Sequence, residues 1–190
     1  MRLRDVEPGD VGAYVRMRCD PVMMAELGGP LPEEGIADKV RRDVLDAAAD
    51  RAWIKMIVPD GAAPGVVAGS VVLWSHEDED GGEDEDGGED GDGCPGGAGG
   101  VISEIGWMVL PEFQGRGLGK AAVRELLDLA ARDGRWGPVH AFPATTNGPS
   151  NGICRALGFR RAGVREVEFA GRPLRVNHWI VDAGPVPDPS

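Results

Sequence analysis

The run Gln114-Gly115-Arg116-Gly117-Leu118-Gly119-Lys120 carries the densest chemical signal in the chain. It follows the apolar stretch Val101 to Leu110 and opens a helix-like stretch that reaches about Ala131. Glycines in such a place let the backbone curl tightly just before a helix begins. Several N–H groups then point at one spot, which suits a phosphate or pyrophosphate. The run does not fit the dinucleotide fingerprint G-x-G-x-x-G, and it lacks the G-x-x-x-x-G-K-[ST] spacing of a Walker A loop. A glycine-rich turn without a ligand is the structural alternative.

The elements that must hold this loop alternate along the chain. Arg2 to Val6 reads as a short strand, and Pro8-Gly9-Asp10 offers an aspartate N-cap for a helix from Val11 to about Arg18. Pro32-Glu33-Glu34 opens a second helix running to about Ala49, with Ile36, Val40, Val44 and Leu45 as its apolar stripe. Trp53 to Val58 and Gly65 to Trp74 read as strands, the second a central one because Val71, Val72 and Leu73 are all apolar. Val101 to Leu110 is the next strand, ended by Pro111. In the helix from Leu118 to Ala131, Val123, Leu126, Leu127 and Ala130 share a face. Gly137 to Phe142 is a strand, Ser150 to Leu157 a short helix with Gly158 at its C-terminal end, and Arg161 to Phe169 with Arg175 to Val181 a closing hairpin around Gly171. This order predicts an α/β (α+β) architecture: a mixed, twisted central sheet of about seven strands with helices on both faces.

Several segments in this order resemble the GNAT family of N-acetyltransferases. The glycine run looks like that family's pyrophosphate loop for coenzyme A. Ile105-Gly106-Trp107-Met108-Val109-Leu110-Pro111 resembles the family's fourth strand, and Asn147-Gly148-Pro149-Ser150-Asn151-Gly152-Ile153-Cys154-Arg155-Ala156-Leu157-Gly158-Phe159 its N-x-x-[AS]-x-x-x-Y-x-x-x-G-F segment. Asp20-Pro21-Val22-Met23-Met24 with Leu27-Gly28-Gly29-Pro30 is similar to the opening of the ribosomal-protein N-terminal acetyltransferase-like branch. The resemblance implies acetyl-CoA as cosubstrate, with Met108, Val109 and Leu110 pairing to its pantetheine amides like an added strand. It further implies contacts from Gln114, Gly115, Arg116, Gly117, Leu118, Gly119 and Lys120 to the phosphates, and from Asn147, Ser150 and Cys154 near the acyl end. Residues 1–184 would form one GNAT domain and 185–190 a flexible tail.

Amine acetylation needs a neutral amine, a donor for the carbonyl oxygen, and an exit for the amine proton. The resemblance assigns the donor role to the backbone N–H of Val109. Glu104, two residues before Gly106, is the base candidate, with a surface acid on a strand edge as its alternative. His178 is the second base candidate, and His140 reads as structural. Cys154 stands where the family pattern has a tyrosine assigned as the acid for the leaving thiolate. It either donates that proton or is a buried small hydrophobe. The expected activity is direct transfer from acetyl-CoA to a primary amine of a small molecule or a peptide N-terminus. The rival reading is a coenzyme A-binding sensor or structural protein without transfer chemistry, motivated by Cys154.

Charge narrows the partners. The chain of 190 residues carries a formal net charge of −12, but 11 acidic residues lie between Glu77 and Asp92. The remainder holds 21 acids against 20 Lys plus Arg, a net of −1. A nearly neutral body offers no backbone-binding face for nucleic acid. The acidic, glycine-rich stretch from His76 to Gly100 reads as a mobile solvated loop between two neighbouring strands, with weak calcium binding as its alternative. Cys19, Cys94 and Cys154 form no zinc-like pair, so no metal site is expected. The N-terminus lacks the apolar run of a signal peptide, and no stretch reaches the roughly 20 apolar residues of a membrane span. A cytoplasmic protein, forming homodimers as the family often does, is the expectation.

Overall fold

The structure, a computed structural model, describes residues 1–63, 65–78 and 100–182. Seven strands form one sheet: β1 (Arg2–Asp5), β2 (Ala52–Val58), β3 (Gly69–Glu77), β4 (Val101–Val109), β5 (Pro138–Ala141), β6 (Arg160–Phe169) and β7 (Arg172–Asp182). Their spatial order is β1-β2-β3-β4-β5-β7-β6. Among the described residues, four α-helices accompany them: α1 (Val11–Arg18), α2 (Ile36–Ala48), α3 (Leu118–Asp133) and α4 (Gly148–Ala156). The mixed sheet with helices on both faces is the architecture that the element order predicts.

Alternation along the strands divides the core in two. Val71, Leu73, Ile105, Val139 and Ala141 pack with Ala122, Val123, Leu126 and Ala130 of α3. Ile54 and Met56 turn the other way, onto Tyr14 and Met17 of α1 and Ile36 and Val40 of α2. β3 therefore needs apolar residues on both faces, which explains its unbroken Val-Val-Leu run. Fully burying each large aliphatic side chain contributes roughly 1.5–3 kcal/mol. Leu45, expected in the α2 stripe, is 58% exposed, because Val40 and Val44 already fill the face that meets the sheet.

One pairing irregularity shapes the function. β3 and β4 pair over their whole length, from Gly69 opposite Val109 to Glu77 opposite Val101. β4 and β5 pair in parallel only at Ser103 with Val139 and Glu104 with His140. β5 ends at Ala141, and Pro143 just beyond it has no N–H to continue a ladder. From Ile105 to Val109, β4 thus has a strand neighbour on one side only. The sheet opens there into a wedge.

Several boundaries and one helix cap differ from the expectation. The expected strand from Gly65 begins at Gly69, because Val66 N–H closes a turn on Ala63 O instead. Asp10 stands at the α1 N-cap without capping through its side chain; its carboxylate accepts from Arg4 and from Glu7 N–H. His76 and Glu77 belong to β3 rather than to the acidic loop, and Asp78 N–H bonds Gly100 O at 3.0 Å. The chain between them joins neighbouring antiparallel strands, as expected. The conformation expected for the rest of that loop, and for the tail, concerns residues outside those described.

Candidate active site

A cavity of about 1290 Å3 follows the wedge. Its wall includes the glycine loop, β4 from Glu104 to Val109, the start of α4, and side chains from the α1 and α2 side. At one end, Gly115 and Gly117 adopt φ of 72° and 74°, the left-handed region that disfavours any residue with a Cβ. Gly117 caps α3, whose first intrahelical bond runs from Ala121 N–H to Gly117 O. The preceding N–H groups of the first turn have no helical acceptor, and the 16-residue helix adds its dipole. Gly119 serves a different end. A Cβ there would lie 3.2 Å from Val109 Cγ2 and 3.3 Å from Ile153 Cδ1, so its absence lets α3 close on β4 and α4.

The loop is fastened to β4 by a side chain: Gln114 Nε2 donates to Val109 O at 2.8 Å. Leu110 N–H donates to Ala68 O on the β3 side at 2.8 Å. Alternation of an extended chain then turns the polar groups of Val109 away from β3, toward the open wedge. Met108, Val109, Gln114, Gly115, Gly117, Leu118, Gly119 and Lys120 all line the cavity. Leu110 does not; it is buried in the α1–α2 core. Arg116 also stays off the wall, its guanidinium lying 5.5 Å from the Phe113 ring centroid.

Asn147 and Ser150 line the cavity where α4 begins. Asn147 Oδ1 accepts from Ser150 N–H at 3.0 Å, so this side chain caps α4 and its chemistry is already engaged. The node beneath them is Asn151, to which no role was assigned from the sequence. Its amide donates to Ala144 O and Asn147 O, and its Oδ1 accepts from Asn177 and from Trp179 Nε1. This buried network ties α4 to β7. Only the crossing of two distant elements makes it, so no local spacing announces it.

Two expected catalytic side chains lie off the cavity wall. Cys154 is fully buried in the α3-side core, and burial pushes its thiol up to about 12. On α4 it is Ile153 and Ser150, not Cys154, that reach the wall. Of the two readings of Cys154, that placement favours the small buried hydrophobe over the proton donor. His178 is 4% exposed, stacks on Phe142 at 4.7 Å, and meets His140 with 2.8 Å between Nε2 and Nδ1. Burial first, then the Arg165 charge, lowers it to about 4, so at neutral pH it is an uncharged packing group.

Glu104 is on the wall, on the face shared with Trp74 and Gly106. Its Oε2 lies 2.9 Å from His76 Nε2. Burial raises its pKa, and the His76 hydrogen bond opposes that rise. Beyond this pair, Arg165 of β6 reaches Asp78 at 3.0 Å, both of them also on the wall. His76, Asp78 and Arg165 were not singled out from the sequence. His76 was absorbed into the acidic run that follows it, although Trp74 and His76 keep the two-residue alternation of a strand.

Comparison with known proteins agrees with this geometry. Residues 1–160 match a family model described as an acetyltransferase (GNAT) domain. A stretch of 55 residues is 42% identical to the N-alpha-acetyltransferase RimI of Mycobacterium tuberculosis, covering 29% of this chain and 32% of that protein. Among solved structures, a GNAT-family acetyltransferase from Bacillus anthracis superposes with a TM-score of 0.68 at 16% identity, over 95% of this chain and 93% of the other. RimL, a ribosomal alpha-N-protein acetyltransferase in complex with coenzyme A, gives the same TM-score and identity over 95% and 92%. A glycine cradle at a helix N-terminus, a strand left half-paired beside it, and a family model spanning most of the sequence converge: this chain belongs to the GNAT acetyltransferase family.

Proposed function

We propose that this protein transfers an acetyl group from acetyl-CoA to a primary amine, with a peptide N-terminus or a small amine as acceptor, by direct attack in a ternary complex. The observation that carries this reading is the continuity of one cavity, from the α3 N-terminus along the half-paired β4 to Glu104. An anionic phosphate group suits the loop end, and an amide-bearing arm suits a strand with unmatched N–H and C=O groups. The names of the RimI and RimL relatives favour a protein α-amine within the acceptor class.

Acetyl-CoA supplies the activated acetyl carbonyl. In this reading the Val109 N–H, which faces the open wedge, donates to its oxygen as negative charge grows there. The amine must arrive neutral, so one ammonium proton leaves to solvent first. The C–N bond then forms, the C–S bond breaks, and the second nitrogen proton departs toward Glu104. Five residues at about 3.3 Å each put Val109 roughly 16 Å from Glu104 along the strand. Proton transfer therefore runs through water rather than by direct contact. The leaving thiolate resembles a thiol of reference pKa about 8.5, stable enough to take its proton from solvent. This removes the need for Cys154 as an acid, and with it the reason for a transfer-inactive sensor.

The test is mass spectrometry of acetyl-CoA turnover against mixed peptide N-termini, polyamines, aminoglycosides and small amines, beside a no-acceptor control. A product acetylated on one amine class, made by the wild type and more slowly by Glu104→Gln, is the expected result. Tight coenzyme A binding with no acetylated product across the panel would overturn the reading.

A further inference from the structure

Resting on Glu104 as the base, we propose that His76 is its positioning residue: it clamps the carboxylate from the neighbouring strand, inside the cavity. The two side chains sit on one face of adjacent strands, since Trp74 is opposite Glu104 and His76 opposite Ile102. His76 Nδ1 lies 2.9 Å from Glu77 O, a group that can only accept, so Nδ1 carries a proton. Nε2 then faces the Glu104 carboxylate at 2.9 Å. A proton between these two atoms makes a charge-assisted bond, and the ring cannot swing away without losing both contacts. Trp74 flanks the imidazole at 6.2 Å between centroids, with the planes 25° apart.

Among the described residues, the charges near this pair include Glu77, next to His76 on the cavity wall. Asp78, two residues after His76, works against ionisation of Glu104, but Arg165 of β6 pairs with it. On β5, His140 stands opposite Glu104 and is itself bonded to His178 of β7. On the α2 side of the same cavity wall, Lys39 pairs with Asp43 and Arg51, just past the helix, with Asp46. Among the described residues, His76 is thus the group in direct hydrogen-bond contact with the Glu104 carboxylate. Remove it, and burial acts unopposed to favour the protonated acid.

The decisive measurement is a carbon-13 NMR titration of the Glu104 side-chain carboxyl in selectively labelled protein, without acceptor. In His76→Ala the midpoint is expected to rise by about one pH unit, a tenfold loss of carboxylate at a fixed acidic pH. In His76→Gln, whose amide can still donate, the rise should be smaller. The acid limb of kcat/KM for whichever panel amine is acetylated should move upward in the same order. An unchanged midpoint in His76→Ala, or an equal rise in both variants, would overturn the proposal. Because the titration needs no turnover, a shifted midpoint in a protein that acetylates nothing would sink the acetylation reading and leave the dyad standing.

Discussion

At the scale of single residues, Glu104 and Cys154 exchange importance once their surroundings are known. Glu104 is a carboxyl on a cavity wall with a hydrogen-bond partner, and Gln keeps its shape while removing its basicity. Acting through water across the span from Val109, Glu104 falls short of the roughly 10²–10⁴ of a base in hydrogen-bond reach, so Glu104→Gln should lower kcat/KM by about tenfold and leave coenzyme A affinity within about twofold by calorimetry. Cys154 has no access to the cavity, so Cys154→Ala should keep kcat within about twofold. Its cost belongs to packing, about 1 kcal/mol in urea unfolding for a small void in the α3-side core. A large loss of kcat in Cys154→Ala with unchanged stability would restore the thiol to the mechanism. Sequence alone could not rank these two, because helical spacing leaves open whether the wall of a cavity is met by Cys154 or by its neighbour Ile153.

At the scale of elements, local signals and long-range ones divide sharply. The glycine loop, the Pro111 strand end and the apolar face of α3 are written in consecutive residues, and each was legible. So was the hairpin of β6 and β7, since it joins chain neighbours. The β4–β5 wedge, the Asn151 network and the His76–Glu104 pair depend on contacts between residues 26 to 36 positions apart, where period and propensity are silent. The loop offers the cleanest test of an element's geometry. Nothing lies within 4 Å of a Cβ built on Gly117, so Gly117→Ala meets no clash and acts through its φ of 74° alone. A left-handed non-glycine residue costs about 1–2 kcal/mol, and relaxing it would turn the cradle N–H groups away from a common point. Coenzyme A affinity should fall about tenfold in titration calorimetry while the far-ultraviolet dichroism of the free protein stays unchanged. Undiminished affinity would place the phosphates elsewhere on the cavity wall.

At the scale of the whole molecule, the pairing of β5 with β7 carries a cost that appears only in acid. His140 and His178 bring their rings together where the last hairpin meets the rest of the sheet, with His178 at 4% exposure. An unfolded histidine titrates near 6.5, whereas His178 in the fold is lowered to about 4. The unfolded chain therefore binds this proton first as pH falls. The contribution of neutral His178 is fully present above about pH 6.5 and is lost progressively down to about pH 4. By pH 5 the linkage amounts to about 2 kcal/mol, a sizeable part of the stability of a typical domain. Glu104 works in the opposite direction, since its pKa is raised and protonation favours the fold, so total stability mixes both signs. The difference between proteins separates them. Urea unfolding at pH 7 and pH 5 should show His178→Gln losing about 2 kcal/mol less than the wild type over that interval, whatever its stability at pH 7. Equal losses in the two proteins would mean that the buried imidazole pair accepts a proton without opening the β5–β7 seam.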